Sequence, residues 1–518
     1  MASTSVSEKR RKASSGRTSF YLAAAFIAAC VSVLVCVQSG GIGDSDYFWH
    51  IVLGRTILET GSIPKADPFS WLSPEMGLVE TAHSWLGSIL IFLVSRVSEN
   101  PLWGFYLMVF SCSFVFALLA VRFWTGKIQD SSLAILITTL CTSFLSWAAR
   151  PQNFGMILFV IGFYLLNDAY EYPDSRKCWF LPLLSLVWAN LHGGTLPILF
   201  AFSALYIVMS FLPSLNAFGL TNTRGDYKPR TKRLILIFLA ELAAGLVNPY
   251  GIRLYIYFCV TNDSATKKFI QEWQPAYAVD PVFFFCLAML FIVIASGIKI
   301  PLKDILPVMA CLFMTMVYMR IRNYLLIVMI PVFSDFLCRM LTAQETKFWK
   351  SGGLQSGKWE GKTRRNWMAV TALLLVASLV YLPYTTTEDF TIDEKPITKD
   401  VMSPEFEGQL KNLDLKRMYT TYTDGGIVIY HGMQSFVDSR ADLFPGDVIK
   451  DCIQFSMVGG EDENNMQRIL DQYQFDGILI NRIDYPAAVG YLNLHPDWEP
   501  AIEDDYYILY LPVADDGL

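Results

Sequence analysis

The sequence predicts a polytopic α-helical membrane protein with a C-terminal extracytoplasmic α/β domain, and three observations predict it. The 518-residue chain is 53% hydrophobic and only 17% charged, with a mean hydropathy of +0.36; soluble domains carry about 25% charged residues. The apolar residues come in long blocks. The charge is also divided: residues 384–518 hold 26 acidic and nine basic side chains, which leaves 21 acidic and 32 basic ones before them. An apolar, basic body thus carries an acidic, water-soluble tail. This excludes an ordinary cytosolic enzyme, a disordered chain and a disulfide-stapled secreted domain. No basic stripe points to nucleic acid. Nine of the ten cysteines lie in or beside apolar stretches, and Cys452 alone falls in the tail, which therefore forms no internal disulfide. No Cys-x-x-Cys pair or His/Cys cluster suggests zinc.

The elements follow in order. Residues 1–17 form a basic cytoplasmic N-terminus, with Lys9, Arg10, Arg11, Lys12 and Arg17 ahead of the first apolar run, Tyr21–Val37. Basic flanks stay inside, so this helix runs outward. A cleaved signal peptide is disfavoured, because the run ends in Val37-Gln38-Ser39-Gly40 without a small-x-small site and many apolar segments follow. Further runs near 83–97, 102–122, 131–149, 153–168, 178–191, 194–213, 234–260, 281–298, 303–319, 324–342 and 367–383 bring the candidates to twelve. Two loops are strongly basic and expected in the cytoplasm. One holds Arg224, Lys228, Arg230, Lys232 and Arg233, the other Lys347, Lys350, Lys358, Lys362, Arg364 and Arg365. Helix 367–383 then exits, which places residues 384–518 outside. Twelve spans cannot join a cytoplasmic start to an external end. One candidate before residue 214 must fail to cross, the short runs 83–97, 153–168 and 178–191 being the suspects. The expectation is about 11 transmembrane helices within 18–383. Segments 39–82, 190–194, 262–280 and 320–323 then face outward.

The first external loop, 39–82, contains Tyr47–Leu58, which reads as an amphipathic interfacial helix ended by Ile63-Pro64 and Asp67-Pro68. In the tail, Arg417–Tyr422 and Ile427–Tyr430 read as strands, or as a strand and a helix start, split by Asp424-Gly425-Gly426. Ser435–Val437 is expected as a short strand, Glu463–Tyr473 as a helix, Gly477–Ile480 as a strand and Tyr485–Leu494 as a helix. Trp498–Glu503 and Tyr506–Leu511 form a hairpin around Asp504-Asp505.

The chemistry-bearing residues start at Gly43-Asp44-Ser45-Asp46-Tyr47-Phe48-Trp49-His50. Two carboxylates two positions apart can hold a hard divalent cation, or one can take a proton from an attacking hydroxyl. The competing reading is a pair of hydrated acids beside aromatic-belt residues Tyr47 and Trp49. Glu80 and His83 stand three apart before an apolar run. They share a helix face, or else Thr81 and Glu80 form a helix cap. Polar residues then interrupt greasy stretches: Arg150-Pro151-Gln152-Asn153, Asn190-Leu191-His192-Gly193-Gly194, Asn248-Pro249-Tyr250-Gly251 with Arg253, Glu272-Trp273, and Arg320-Ile321-Arg322-Asn323. Ionisable groups at membrane depth mark function, and outward-facing arginines suit phosphate. The competing readings are snorkelling for Arg320 and Arg322, a hydrogen-bonded core histidine for His192, and close helix packing at Gly193-Gly194. All these groups fall at expected external helix ends. A transporter would place them near the midplane, in broken helices of two matching halves, and no such halves are present. The pattern favours a site at the outer membrane surface for an anionic, lipid-linked molecule.

These pieces resemble the GT-C superfamily of integral-membrane glycosyltransferases and, more closely, uncharacterised family-39-like prokaryotic membrane proteins. The matching pieces are Asp44-x-Asp46-x-x-Trp49-His50, Gly61-x-Ile63-Pro64-x-x-Asp67-Pro68-Phe69-Ser70, His83-x-Trp85-Leu86, Ala149-Arg150-Pro151-Gln152, Trp188-Ala189-Asn190-Leu191-His192-Gly193-Gly194, Asn248-Pro249-Tyr250-Gly251 and Glu272-Trp273. In the tail, Asp424-Gly425-Gly426 and Phe436-Val437-Asp438-Ser439-Arg440-Ala441-Asp442 match the same set. The resemblance implies a GT-C-like fold that moves a hexosyl or pentosyl group from a polyprenyl-phosphate donor at the outer face of the plasma (inner) membrane. It implies catalytic carboxylates at Asp46 and Asp44, and a divalent metal, Mg²⁺ or Mn²⁺, with Asp44 and Glu80 as its ligands. Arg150, Arg320 and Arg322 would steady the donor phosphate, and Glu80, His83, His192, Asn190 and Glu272 complete the candidate site. Membrane lipid is the surrounding partner, and a glycan, lipid or protein is the acceptor. The Trp-Trp-Asp motif of oligosaccharyltransferases is absent, so transfer to a sequon asparagine gains no support. The competing class is a non-catalytic transporter or scaffold of polysaccharide assembly on the same fold, which needs neither metal nor donor lipid.

Overall fold

The structure, a computed structural model, describes residues 2–42, 45–124, 131–172, 174–212, 220–221, 227–262, 271–276, 280–295, 300–342, 402–440, 442–458 and 463–513. Asp44, basic loop 347–365, run 367–383 and the expected domain boundary at 384 lie outside these residues.

The described body is helical: α1 Ala2–Ser39, α2 Asp46–Thr60, α3 Leu72–Glu75, α4 Trp85–Ser95, α5 Pro101–Trp124, α6 Ser131–Phe144, α7 Gln152–Glu171, α8 Phe180–His192, α9 Leu196–Phe211, α10 Tyr227–Gly245, α11 Ile252–Asn262, α12 Pro281–Ala295, α13 Leu302–Val317 and α14 Arg322–Thr342. Five helical stretches among the described residues are long and apolar enough to cross a membrane: Phe20–Ser39, Pro101–Trp124, Gln152–Glu171, Lys177–Phe211 and Met319–Cys338. The chain is thus a multi-pass membrane protein. α5 shows why such a stretch stays put. Its 24 residues extend about 36 Å, enough to span the hydrocarbon core. Phe105, Val109, Cys112, Phe116 and Ala120 are buried at spacings of three and four, which makes one core-facing stripe against α1 and α7.

Two departures from the expected runs shape the site. The run at 83–97 yields only the 11-residue α4, about 16 Å long and too short to cross. The run at 234–260 is broken into α10 and α11 around Asn248-Pro249-Tyr250-Gly251, where proline removes a backbone donor and Gly251 adopts φ +53°.

The helix expected in the first external loop is present as α2, but it is no interfacial ribbon. Tyr47 through Gly54 are all buried, so Tyr47 and Trp49 are core residues rather than belt anchors. α2 packs on α4 and on a short tail helix. It approaches α4 so closely that a β-carbon on Gly54 would lie 2.2 Å from the Ser88 carbonyl oxygen; only glycine fits there.

The tail is an α/β unit of α15 Pro404–Asn412, β3 Met418–Tyr419, α16 Gly425–Tyr430, α17 Gly446–Val458, α18 Glu463–Tyr473, β4 Gly477–Asn481, α19 Pro486–Leu494, β5 Trp498–Glu503 and β6 Tyr507–Pro512; the body contributes β1 Leu220–Thr221 and β2 Ile300–Pro301. Its four strands run β3-β4-β6-β5, parallel between β3 and β4 and antiparallel elsewhere, with Ile478 opposite Tyr510. The hairpin, β4 and the helices at 463–473 and 486–494 match expectation. Residues 427–430 are helical, and Ser435–Val437 forms only a single bridge, Ser435 with Ser70.

That bridge belongs to a docking seam. Ser435 N–H donates to the Phe69 carbonyl at 2.9 Å, Trp71 N–H to the Ser435 carbonyl at 3.1 Å, and Ser70 Oγ to the Phe436 carbonyl at 2.8 Å. The Trp71 side chain enters the tail core, stacking on Phe436 at 5.5 Å and donating from Nε1 to the Met418 carbonyl at 3.0 Å. Trp71 and Leu72 therefore share one hydrophobic core with the tail.

Candidate active site

Asp46 is the first residue of α2. Its carboxylate receives the Arg150 Nε at 3.2 Å on Oδ2 and the Trp49 Nε1 at 3.2 Å on Oδ1, and the Ser439 hydroxyl of the tail also donates to Oδ1. Arg150 stands just before α7 and turns its other edge outward, with Nη1 3.2 Å from Glu272 Oε1. Glu272 lies in a 3₁₀ turn, Gln271–Trp273. One guanidinium thus bridges two carboxylates 226 positions apart.

Beside this bridge opens a cleft lined by Ser146, Gln152, Thr195, Glu272, Arg320 and Arg322, among others. Arg320 lies over the Trp273 ring at 4.3 Å. Arg322 points Nη1 at Asp280, 3.3 and 3.4 Å from its two oxygens, and also donates to the Ser146 hydroxyl. Both arginines face the cleft that Glu272 borders. Asp280, buried and paired with Arg322, was not singled out in the sequence.

A second cluster lies deeper in the seam. Arg440 contacts Asp67 at 2.7 and 3.1 Å, Asp438 at 2.6 and 2.8 Å, and Glu80 at 2.5 Å. Its guanidinium lies between the rings of Phe69 and Trp49, 5.3 and 5.8 Å from their centroids. Burial, with Asp67 and Asp438 beside it, raises the Glu80 carboxyl from 4.5 to about 7 against the opposing pull of Arg440. Burial works to lower the Arg440 pKa, but Asp438, Glu80 and Asp67 overcome it and hold the proton firmly. Glu80 and His83 do not share a helix face, nor does Thr81 cap one: residues 78–84 are non-helical and α4 begins after Ser84 without a side-chain cap.

His83 belongs to a third group. Its ring stacks on Tyr257 at 5.0 Å and lies 5.4 Å from the His192 ring. Burial lowers the His83 pKa although Asp442 pulls it up, and Tyr257 donates to Asp442 Oδ2 at 2.7 Å. His192 is buried, and its Nδ1 has no partner among the described residues. Gly193-Gly194 gives the close approach: a β-carbon on Gly194 would lie 2.9 Å from His83 Nε2. Asn190 instead braces backbone, accepting from Trp85 Nε1 at 3.2 Å and donating to the carbonyls of Leu186 and Val247.

Of the two residues expected to hold a metal, Asp44 lies outside the described residues and Glu80 does not fit one. Glu80 is engaged by Arg440, and Asp46 and Glu272 grip a guanidinium between them. No group of three or more His, Cys, Asp or Glu side chains among the described residues is placed to hold an ion. The sequence also left Ser439, Arg440 and Asp442 without a role. Their alternating polar pattern in Asp438-Ser439-Arg440-Ala441-Asp442 was the available signal, but nothing in it tied this tail loop to residues near position 46.

No family model matches the chain, and no curated protein matches its sequence. Solved structures do. The Archaeoglobus fulgidus oligosaccharyltransferase AglB, in complex with an inhibitory peptide and a dolichol-phosphate, superposes with a TM-score of 0.56 at 11% identity, over 90% of this chain and 70% of that one. The same enzyme tethered to an acceptor peptide containing the NVT sequon gives 0.56 at 12%, over 96% and 74%. Its complex with zinc and sulfate gives 0.53 at 11%, over 90% and 71%. The chain therefore shares the overall fold of this membrane oligosaccharyltransferase.

Proposed function

We propose that this chain moves a sugar from a polyprenyl-phosphate donor to an acceptor at the outer membrane face, in the assembly of cell-envelope glycans or glycoconjugates. The observation that carries the reading is the Asp46–Arg150–Glu272 bridge at the rim of a cleft bordered by Arg320 and Arg322. The shared fold adds support, since AglB has been solved with a dolichol-phosphate and with an acceptor peptide. The proposal includes about 11 spans within 18–383, a cytoplasmic N-terminus and an extracytoplasmic 384–518, as the basic loops require.

In this mechanism the donor phosphate lies against Arg320 and Arg322, whose planar forks match phosphate oxygens. The acceptor oxygen attacks the anomeric carbon. The bond from that carbon to the phosphate oxygen breaks, and the phosphate leaves with the electron pair. The acceptor proton passes to Asp46. Arg150 offsets the charge on both the leaving phosphate and Asp46. The tail residues 436–440 border Asp46 through Ser439 and shape acceptor access.

The test is sugar release and binding with a panel of polyprenyl-phosphate sugars on the purified full-length protein, wild type and Asp46→Asn. Saturable binding, with release lost in the variant and an unchanged melting curve, is the expected result. An intact protein that binds no donor in the panel overturns the proposal in favour of a scaffold.

A further inference from the structure

We infer that the Arg150 guanidinium takes the place of a divalent cation between Asp46 and Glu272, so that these two carboxylates serve transfer without a shared metal. The inference rests on the reading of this site as a glycosyl-transfer centre.

The geometry starts with which edges are used. Nε serves Asp46 and Nη1 serves Glu272, each at 3.2 Å. One cation thus joins carboxylates from two separate external segments, which is what a bridging metal would do. A divalent ion would need those oxygens at about 2.0–2.6 Å from its own centre, so it could enter only by expelling the guanidinium or by sitting against its fixed positive charge. The remaining oxygen of Asp46 is also engaged, by the Trp49 indole and the Ser439 hydroxyl. Both donors orient the carboxylate and occupy lone pairs that a cation would otherwise use. Glu80, the other acid near the first loop, is committed to Arg440. The described acids of the site are therefore each engaged by hydrogen-bond donors of the protein itself.

Arginine suits the task. It stays protonated throughout the physiological range and offers planar donors on two edges, so it can hold Asp46 and Glu272 in place while its positive charge offsets that of a leaving phosphate. Its single charge does less than a divalent ion's, and Arg320 and Arg322 on the same cleft supply the difference.

The experiment has two independent readouts on the full-length protein. The first is Mn²⁺ binding, followed by loss of the free Mn²⁺ EPR signal. The second is release of sugar from the donor identified in the panel, with and without excess EDTA. The expected result is no stoichiometric Mn²⁺ uptake by the wild type and a release rate unchanged within about twofold in EDTA. Arg150→Gln should lose release by about 100-fold or more, and Arg150→Lys should recover part of that loss. One Mn²⁺ per chain that disappears in Asp46→Asn would overturn the inference, as would a rate that collapses in EDTA and returns with Mg²⁺ or Mn²⁺. If the wild type releases no sugar from any donor, the transfer reading fails, while Mn²⁺ uptake still decides whether the guanidinium excludes a metal.

Discussion

Arg440 places Nη1 2.7 Å from Asp67 Oδ1 and Nη2 3.1 Å from Asp67 Oδ2, so a tail guanidinium and a loop carboxylate meet edge to edge across 373 positions of the chain. The same guanidinium serves Asp438 and Glu80, and the side chains of Arg440, Asp67 and Asp438 are at most 3% exposed. Three acids depend on one base. Removing it leaves buried carboxylates without compensation, which costs about 3–5 kcal/mol. Arg440→Ala should lower the thermal midpoint in detergent and open the seam at residues 69–71 to protease. Arg440→Lys should rescue little, because an ammonium cannot fork across two carboxylates. A melting curve for Arg440→Ala that overlays the wild type would refute this account of the seam.

Glu80 makes the same cluster sensitive to pH. Its carboxyl titrates near 7 in the folded chain against 4.5 as reference. A group raised in this way contributes stability that is complete below about 4.5 and is lost as pH rises through about 7. The shift corresponds to something on the order of 3 kcal/mol. His50 and His83, held neutral by burial, titrate in the opposite sense. The informative quantity is therefore the difference between the wild type and Glu80→Gln. That difference should shift in favour of the glutamine variant between pH 5 and 8 and be flat elsewhere, as read by thermal midpoints across that range.

Ser439 is the tail's direct contact with Asp46. Its hydroxyl sets the carboxylate's rotation without touching a substrate, so it is a positioning residue. Ser439→Ala should lower kcat by about tenfold and leave donor KM nearly unchanged, while Ser439→Thr, which keeps the hydroxyl, should recover most of the rate. Equal losses in kcat and KM would point to a role in donor binding instead.

Much of this arrangement was legible in the sequence, for physical reasons that can be named. Apolar runs and basic loops report on local hydrophobicity, so the membrane body and the hairpin around Asp504-Asp505 could be read directly. Asp46, Arg150, Glu272, Arg320 and Arg322 stood out because charge beside greasy sequence is rare. Their meeting was not legible, since a bridge from residue 46 to 150 to 272 is made by tertiary packing alone. The Arg440 cluster was hidden for the same reason: Asp67 reads as a turn residue before Pro68, and Arg440 as an ordinary surface charge of a soluble tail. The burial of α2 was likewise hard to read, because α4 covers only part of it and another part is covered by α16, more than 360 residues downstream.

Gly426 offers a test of whether the tail builds the site or merely covers it. A β-carbon on this residue would lie 2.3 Å from the Ser45 carbonyl oxygen and 3.0 Å from the Ser45 carbonyl carbon. Backbone atoms cannot yield as a flexible side chain would, so Gly426→Ala must push the start of α2 away and carry Asp46 with it. The tail core around Phe436, Ile449 and Ile478 is not touched and should stay folded. Sugar release should therefore fall by at least about tenfold, since an ångström of misplacement at a reacting group costs about that or more. Gly408→Ala is the matched control. It lies on the exposed side of α15 with nothing within 4 Å of its would-be β-carbon, and alanine stabilises a helix interior by about 0.5–1 kcal/mol over glycine. That variant should keep wild-type release and melt no lower. If Gly426→Ala also keeps full release, the α2–α16 contact does not position Asp46, and the tail's role reduces to shielding the cleft.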